Sequence, residues 1–145
     1  MKMENRAESI ETDLRKYAVI DTTNLPLVLV TYKNMDPTLE EYKAYASELF
    51  EVVRNNTGLL ILHEASKTKK YLRGDVRAEI TRQMKTTEEI SKQNVRAQAI
   101  IVSSTIAKIV TRTIFAIRKP AVLTKVFDKP EQGLAWLHSL DHNDG

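Results

Sequence analysis

Residues 97–140 decide the fold class of this chain. They read AQAIIVSS (97–104), TIAKIVTRTIFAIRK (105–119), PAVLTKVFD (120–128) and KPEQGLAWLHSL (129–140). The first and third segments are short and rich in aliphatic and β-branched residues, which favours strands. The second carries apolar residues at helical spacing, and the fourth places Pro130 just after Asp128, as a capped helix start does. The four segments therefore predict strand, helix, strand, helix.

The earlier part of the chain predicts the remaining elements. Residues 17–21 and 27–33 form an antiparallel hairpin around a turn with Asn24 and Pro26, and residues 59–62 and 99–102 form buried strands. One helix follows an N-cap at Asp36, and another follows an N-cap at Asp75. The order β-β-α-β-α-β-α-β-α predicts a single α/β domain over residues 17–142, with a mixed sheet of about five strands flanked by about four helices. Residues 1–16 are expected to be a mobile or peripheral lead.

The helix at 104–118 has two interpretations. Its apolar residues would cover the sheet along one stripe, formed by Ile106, Ile109, Val110, Ile114 and Ile117. Its flanking cations and Phe115 also resemble a membrane-surface helix. Because the segment lies between two predicted strands, burial against the sheet is favoured and peripheral membrane contact is not expected.

Composition excludes several classes of function. The 145 residues contain no cysteine, no glycine-rich phosphate loop, no GxSxG elbow and no apolar run near the roughly 20 residues that span a bilayer. His138 and His142 have a metal-ligand spacing but fall at the chain's end without a rigid third ligand. We therefore expect a cytoplasmic protein without metal, cofactor or disulfide.

Charge is distributed unevenly. Residues 1–65 hold 7 Lys/Arg and 11 Asp/Glu, whereas residues 66–145 hold 15 and 8. The basic residues are not interleaved with aromatics, so nucleic acid is not expected. The loop that follows the central strand is the best candidate surface, because ligands and partners bind beyond the carboxyl ends of such strands. The candidate interaction or ligand-binding residues are Glu64, Ser66, Lys67, Thr68, Lys69, Lys70, Arg73 and Arg77.

A catalytic alternative rests on His63 and Glu64 at the end of the central strand. A His–Glu pair can perform acid–base chemistry, as in a hydrolase. It lacks a nucleophile, so the chain is expected not to be an enzyme.

Five segments carry a family resemblance: LVLVTYK (27–33), DPTLEEY (36–42), LLILHEA (59–65), AQAIIVSS (97–104) and the closing FD with QGLAWL (127–128 and 132–137). Over residues 17–140 the chain resembles STAS-like domains of the anti-sigma-factor-antagonist, or SpoIIAA-like, type. More narrowly, it looks like the small bacterial stand-alone STAS/CRAL-TRIO-like family of largely unknown function. Phosphorylatable STAS proteins carry an Asp-Ser pair and a nearby glycine after the central strand. Ser66 is the corresponding candidate here, but Ala65 replaces the aspartate and the glycine is missing.

The resemblance implies a STAS-like fold with a protein-binding rather than catalytic role. The leading hypothesis is a non-enzymatic regulatory module that binds a protein partner or a second copy of itself through residues 64–77. The alternative is a carrier or sensor of a lipid or other small apolar ligand, as the CRAL-TRIO side of the resemblance implies. That alternative requires a cavity between the sheet and the helices.

Overall fold

The computed structural model describes residues 15–142, so most of the lead expected at residues 1–16 lies outside the described residues. The elements follow one another as β1 (Ala18–Asn24), β2 (Leu27–Tyr32), α1 (Leu39–Asn55), β3 (Leu59–Glu64), α2 (Gly74–Thr86), α3 (Glu88–Asn94), β4 (Val95–Ile101), α4 (Thr105–Ile117), β5 (Leu123–Phe127) and α5 (Pro130–His142).

The strands form one mixed sheet in the order β1-β2-β3-β4-β5. β1 is antiparallel to β2, and all later neighbours are parallel. Parallel crossovers are right-handed and here always advance in one direction, so α1 to α4 lie on one face of the sheet. α5 packs on β3, β4 and β5 from the other face. The predicted single α/β domain with an opening hairpin is confirmed.

Local helix signals differ from the expectation at three points. The N-cap of α1 is Thr38 rather than Asp36, because the Thr38 hydroxyl accepts from the Glu41 backbone while the Glu41 carboxylate accepts from the Thr38 backbone. α2 begins at Gly74, so Asp75 is not its N-cap but lies in its first turn. The helix predicted from Asp75 ends at Thr86, and α3 starts at Glu88, which gives five helices. Ser104 is the N-cap of α4, because its hydroxyl accepts from the Ala107 amide.

The α5 face of the sheet is closely packed. A Cβ at Gly133 would lie 2.7 Å from Ile101 Cδ1 and 2.8 Å from Leu62 Cδ1, so a larger residue here would force these buried side chains to shift. Leu137 of α5 and Ile101 of β4 are fully buried between the helix and the sheet. Glycine inside a helix costs about 1 kcal/mol relative to alanine, and this close contact is the physical reason for Gly133.

The prediction that α4 buries one isoleucine stripe is wrong in part. Val110 and Ile114 are buried, but Ile106, Ile109 and Ile117 are exposed, Ile117 by 68%. The buried strip consists instead of Ala107, Val110 and Ile114. Because α4 is apolar on most of its circumference, spacing alone does not identify its inner face. α4 packs on α2, and an open volume separates it from the sheet.

Candidate ligand cavity

A cavity of about 320 Å³ lies between the sheet and the helices α1 to α4. It reaches from Val95, the first residue of β4, to Val102, just beyond its last, so it follows that strand for about 23 Å at 3.3 Å per residue. Pockets for small ligands have volumes of roughly 300–1,000 Å³. The cavity is therefore large enough for a small organic molecule.

The floor of the cavity is formed by alternate residues of neighbouring strands. Side chains alternate between the faces of a strand, so Ile61 and His63 of β3 face the cavity while Leu60 and Leu62 face α5. The same alternation puts Ile100 of β4 on the floor. The sheet therefore presents a half-polar floor here and an apolar surface to α5.

The walls and the roof are mostly apolar. α1 contributes Leu49, Phe50 and Val53, α2 contributes Ile80 and Met84, and α4 contributes Ala107, Val110, Ile114 and Phe115. A roof of this kind contacts an apolar occupant without leaving buried polar groups unpaired.

Hydrogen bonds link five side chains across the floor. Tyr32 Oη lies 2.8 Å from His63 Nδ1, and His63 Nε2 lies 3.1 Å from Gln98 Oε1. Gln98 Nε2 donates to Thr124 Oγ1 over 3.0 Å. At the other end, the hydroxyl of Tyr32 is bonded to that of Tyr45 on α1. This series of hydrogen bonds crosses the four strands β2, β3, β4 and β5.

In this series of hydrogen bonds every donor points in the same direction, from Tyr45 towards Thr124. The Thr124 hydroxyl donates to the Val122 carbonyl, so it accepts from Gln98, and the Gln98 oxygen must accept from His63 Nε2. A neutral His63 then has its Nδ1 free to accept from the Tyr32 hydroxyl. Tyr32 in turn accepts from Tyr45. Aligned hydrogen bonds polarise one another, which strengthens each of them.

His63 is neutral at ordinary pH. Burial lowers the pKa of His63 to about 4, and the hydrogen bond with Gln98 opposes part of that shift. Both ring nitrogens are engaged, so neither is available to a reacting group. Glu64 points to the opposite face of β3 and accepts from the Ser66 backbone amide, so the pair considered for catalysis does not come together.

Four tyrosines close the cavity on the β1–β2 side. Tyr17, Tyr32, Tyr42 and Tyr45 pack edge to face, with ring centres 5.2–6.3 Å apart. Burial raises the pKa of Tyr17 to about 12 and raises the pKa of the other three well above its ordinary value. All four hydroxyls are therefore neutral.

The candidate loop residues lie near the cavity but only two of them line it. Thr68 and Lys70 are part of its lining, at the carboxyl end of the strands. The Thr68 carbonyl accepts from the Ser104 hydroxyl, which ties the loop to the start of α4. Exposed Lys70 is therefore a cation at the edge of an otherwise neutral cavity.

The other six candidates do not line the cavity. Arg73 pairs with Asp75 at 3.5 Å, and the Arg77 guanidinium lies 5.0 Å from the Tyr71 ring centre. Lys67 and Lys69 are exposed. The eight candidate residues thus form a surface around the loop rather than one converging site.

Sequence reasoning missed Tyr45 and Gln98. Gln98 lies between two alanines of an apolar strand, and His63 is the polar end of another. Polar residues in two neighbouring buried strands are a signal, but only the register of β3 and β4 shows that they share a face.

Two further features concern metals and membranes. Among the described side chains, no three His, Asp or Glu residues lie close enough together to hold a metal ion. His138 is exposed. No helix within residues 15–142 is long and apolar enough to cross a bilayer.

Comparison with solved structures identifies the fold as SpoIIAA-like. A crystal structure of an uncharacterized protein of the DUF3478 family from Shewanella loihica PV-4, described as having that fold, aligns with a TM-score of 0.57. The alignment covers 83% of this chain and 91% of that one at 15% identity, so the likeness concerns the fold alone. The expected STAS-like fold is thereby confirmed.

The family follows from the sequence. Residues 27–141 match the model of the Domain of unknown function (DUF7793), and the chain belongs to that family. None of the curated proteins matches the chain.

Proposed function

We propose that this domain is a non-enzymatic binding protein that carries or senses a small apolar ligand in the cavity over β4. The observation that carries the proposal is a cavity of about 320 Å³ with an apolar roof and a hydrogen-bonded polar floor. Such a combination of apolar walls and a few oriented polar groups is typical of ligand sites.

The size of the cavity supports this function energetically. An unfilled apolar volume lowers the stability of a domain, because the side chains that line it lack packing contacts on one side. Whole domains are stable by only about 5–15 kcal/mol. Filling the cavity with an apolar ligand would recover part of the lost stability, so binding and folding stability are linked.

The non-enzymatic part of the proposal rests on His63. Its two nitrogens are held by Tyr32 and Gln98, and its low pKa keeps it neutral. A general base needs a free nitrogen within reach of the proton that it removes. The polar floor is better suited to recognition than to proton transfer.

The test compares two substitutions on α4. Ala107 is buried and lines the cavity, whereas Ala116 is exposed on the same helix. We expect Ala107→Phe to weaken binding of N-phenyl-1-naphthylamine, an apolar fluorescent dye, by about tenfold or more, because the ring occupies the ligand volume. Ala116→Phe should bind the dye like the unmodified protein.

Native mass spectrometry of gently purified protein complements the titration. A small-molecule adduct that is reduced in Ala107→Phe and retained in Ala116→Phe would support the proposal. Equal dye affinity in both variants, with circular dichroism showing both folded, would contradict it.

A second candidate function is self-association through the basic loop. Lys67 and Lys69 are exposed, and neither has an ion-pair partner among residues 15–142. The loop backbone is anchored, since the Lys69 amide donates to the Asn34 side chain over 2.9 Å. The acidic half of the chain supplies the complementary charge for a second copy.

Sedimentation velocity tests this second candidate. We expect a dimer that weakens as salt rises and that is lost in the Lys67→Glu/Lys69→Glu double variant, because exposed charge pairs are screened. A monomer at low salt, or a dimer indifferent to the double variant, would remove the loop from the interface.

A further inference from the structure

The Gln98 side chain has hydrogen-bonding capacity that the protein does not use. A carboxamide offers two N–H donors and an oxygen that accepts two bonds. One N–H goes to Thr124, and the oxygen receives one bond from His63. One N–H and one lone pair are left over on a half-buried side chain that lines the cavity.

The neighbouring groups of the floor do not use this leftover pair. The Thr124 hydroxyl is engaged as donor to Val122 and as acceptor from Gln98, and both nitrogens of His63 are engaged. Ile61 and Ile100 beside them are apolar. Among the described residues, no other group bonds to the Gln98 side chain.

An occupant of the cavity therefore meets a donor and an acceptor side by side. A purely apolar ligand would cover both and leave them unpaired, which weakens binding. A ligand group that itself carries an adjacent donor and acceptor would satisfy both at once. Primary carboxamides, lactams, imides and protonated carboxylic acids have this arrangement.

The floor also favours a neutral group over an ion. His63 and the tyrosines that face it carry no charge, and Lys70 lies on the loop at the edge of the cavity. A carboxylate placed at Gln98 would lose its hydration without gaining a charged partner.

We propose that the ligand of this cavity carries a neutral group with adjacent donor and acceptor, such as a carboxamide or lactam, which pairs with Gln98 through two hydrogen bonds while its apolar body lies under α4. This inference rests on the proposed function and names the class of ligand. Gln98 is then the residue that determines specificity, and the roof supplies the rest of the affinity.

The experiment uses octanamide and methyl octanoate, which share an apolar chain and a carbonyl oxygen, whereas only octanamide has a donor. Affinities are measured by displacement of N-phenyl-1-naphthylamine. The unmodified protein should bind octanamide about tenfold more tightly, as expected for the added hydrogen bond. Octanoate, ionised at about pH 8, should bind more weakly than octanamide.

Gln98→Leu should bring octanamide and methyl octanoate within about twofold of each other by removing the pair of bonds. Gln132→Leu makes the same chemical change on the exposed side of α5 and should retain the tenfold preference. A preference that persists in Gln98→Leu would overturn the assignment of Gln98.

The comparison of ligands in the unmodified protein needs no variant to fold. If octanamide and methyl octanoate bind equally well, the inference is wrong while the proposed function stands. If neither the dye nor any of the three octanoyl compounds (octanamide, methyl octanoate and octanoate) binds, the proposed function itself fails.

Discussion

On one face of the sheet α5 lies so close to β3 and β4 that a Cβ at residue 133 would collide with the side-chain ends of Ile101 and Leu62. On the other face α4 stands across a volume of about 320 Å³. Both faces use alternate residues of the same strands. The closest packing and the open volume thus lie on opposite faces of one sheet, and the proposed ligand site is on the face with the open volume.

The largest expected effect comes from two neighbouring isoleucines of β4. Ile101 is fully buried under α5, whereas Ile100 is half-buried on the cavity floor. We expect Ile101→Ala to lower the free energy of unfolding by about 4 kcal/mol and Ile100→Ala by only about 1 kcal/mol, because the cavity already limits the contacts of Ile100. Urea denaturation measures both, and equal losses would refute the contrast between the faces.

Lowering the pH should destabilise the protein through the cavity face of the sheet, because His63 lies on the cavity floor. The pKa of His63 is about 4 in the folded chain and 6.5 for an unperturbed histidine. The unfolded chain therefore takes up a proton first as the pH falls, and stability that is complete above pH 6.5 declines towards pH 4. The expected loss is about 3 kcal/mol.

His63→Gln should remove this decline between these two pH values. The groups facing His63 are the neutral tyrosines, with Lys70 at the cavity edge. The pKa of Glu41 is lowered to about 2 by Arg15, and that of Glu79 to about 2 by Arg82, so their losses fall at lower pH. The test is the free energy of unfolding, measured between pH 6.5 and pH 4 in the unmodified protein and in His63→Gln. Parallel pH profiles of the two proteins would exclude His63 as the cause.

The smallest of the three effects is expected at Gly133. Gly133→Val places a side chain against Ile101 and Leu62 and should cost about 2 kcal/mol through overpacking. Ala135→Val on the exposed side of α5 is the control, with an expected change within about 0.5 kcal/mol. If Gly133→Val were as stable as the control, α5 would not be as closely packed as described.

The sequence was sufficient to predict the order of strands and helices along the chain and the mixed sheet, because short apolar runs separated by helical patterns leave few alternatives. It failed where two local signals compete. Asp36 and Thr38 are both good N-caps, and the reciprocal bonds with Glu41 select Thr38. α4 is apolar on both its inner and its outer side, so the exposure of Ile109 depends on packing against α2.

The candidate site was harder to predict from the sequence than the fold. The basic loop was predicted as a ligand or interaction surface, and Thr68 and Lys70 do line the cavity. Gln98 reaches His63 only through the alignment of β4 with β3, and Tyr45 reaches Tyr32 only through the packing of α1 on the sheet. Such contacts are long-range in sequence, so composition and spacing do not reveal them.

The placement of the aromatic residues divides the chromophores of the chain between the two faces. The single tryptophan, Trp136, packs beside Phe127 on the α5 side, with ring centres 5.8 Å apart. Four of the five tyrosines line the cavity. Tryptophan fluorescence is therefore a reporter of the packed face, whereas tyrosine absorbance and emission report events in the cavity. One unlabelled sample can thus distinguish, by wavelength alone, the filling of the cavity from the opening of the core.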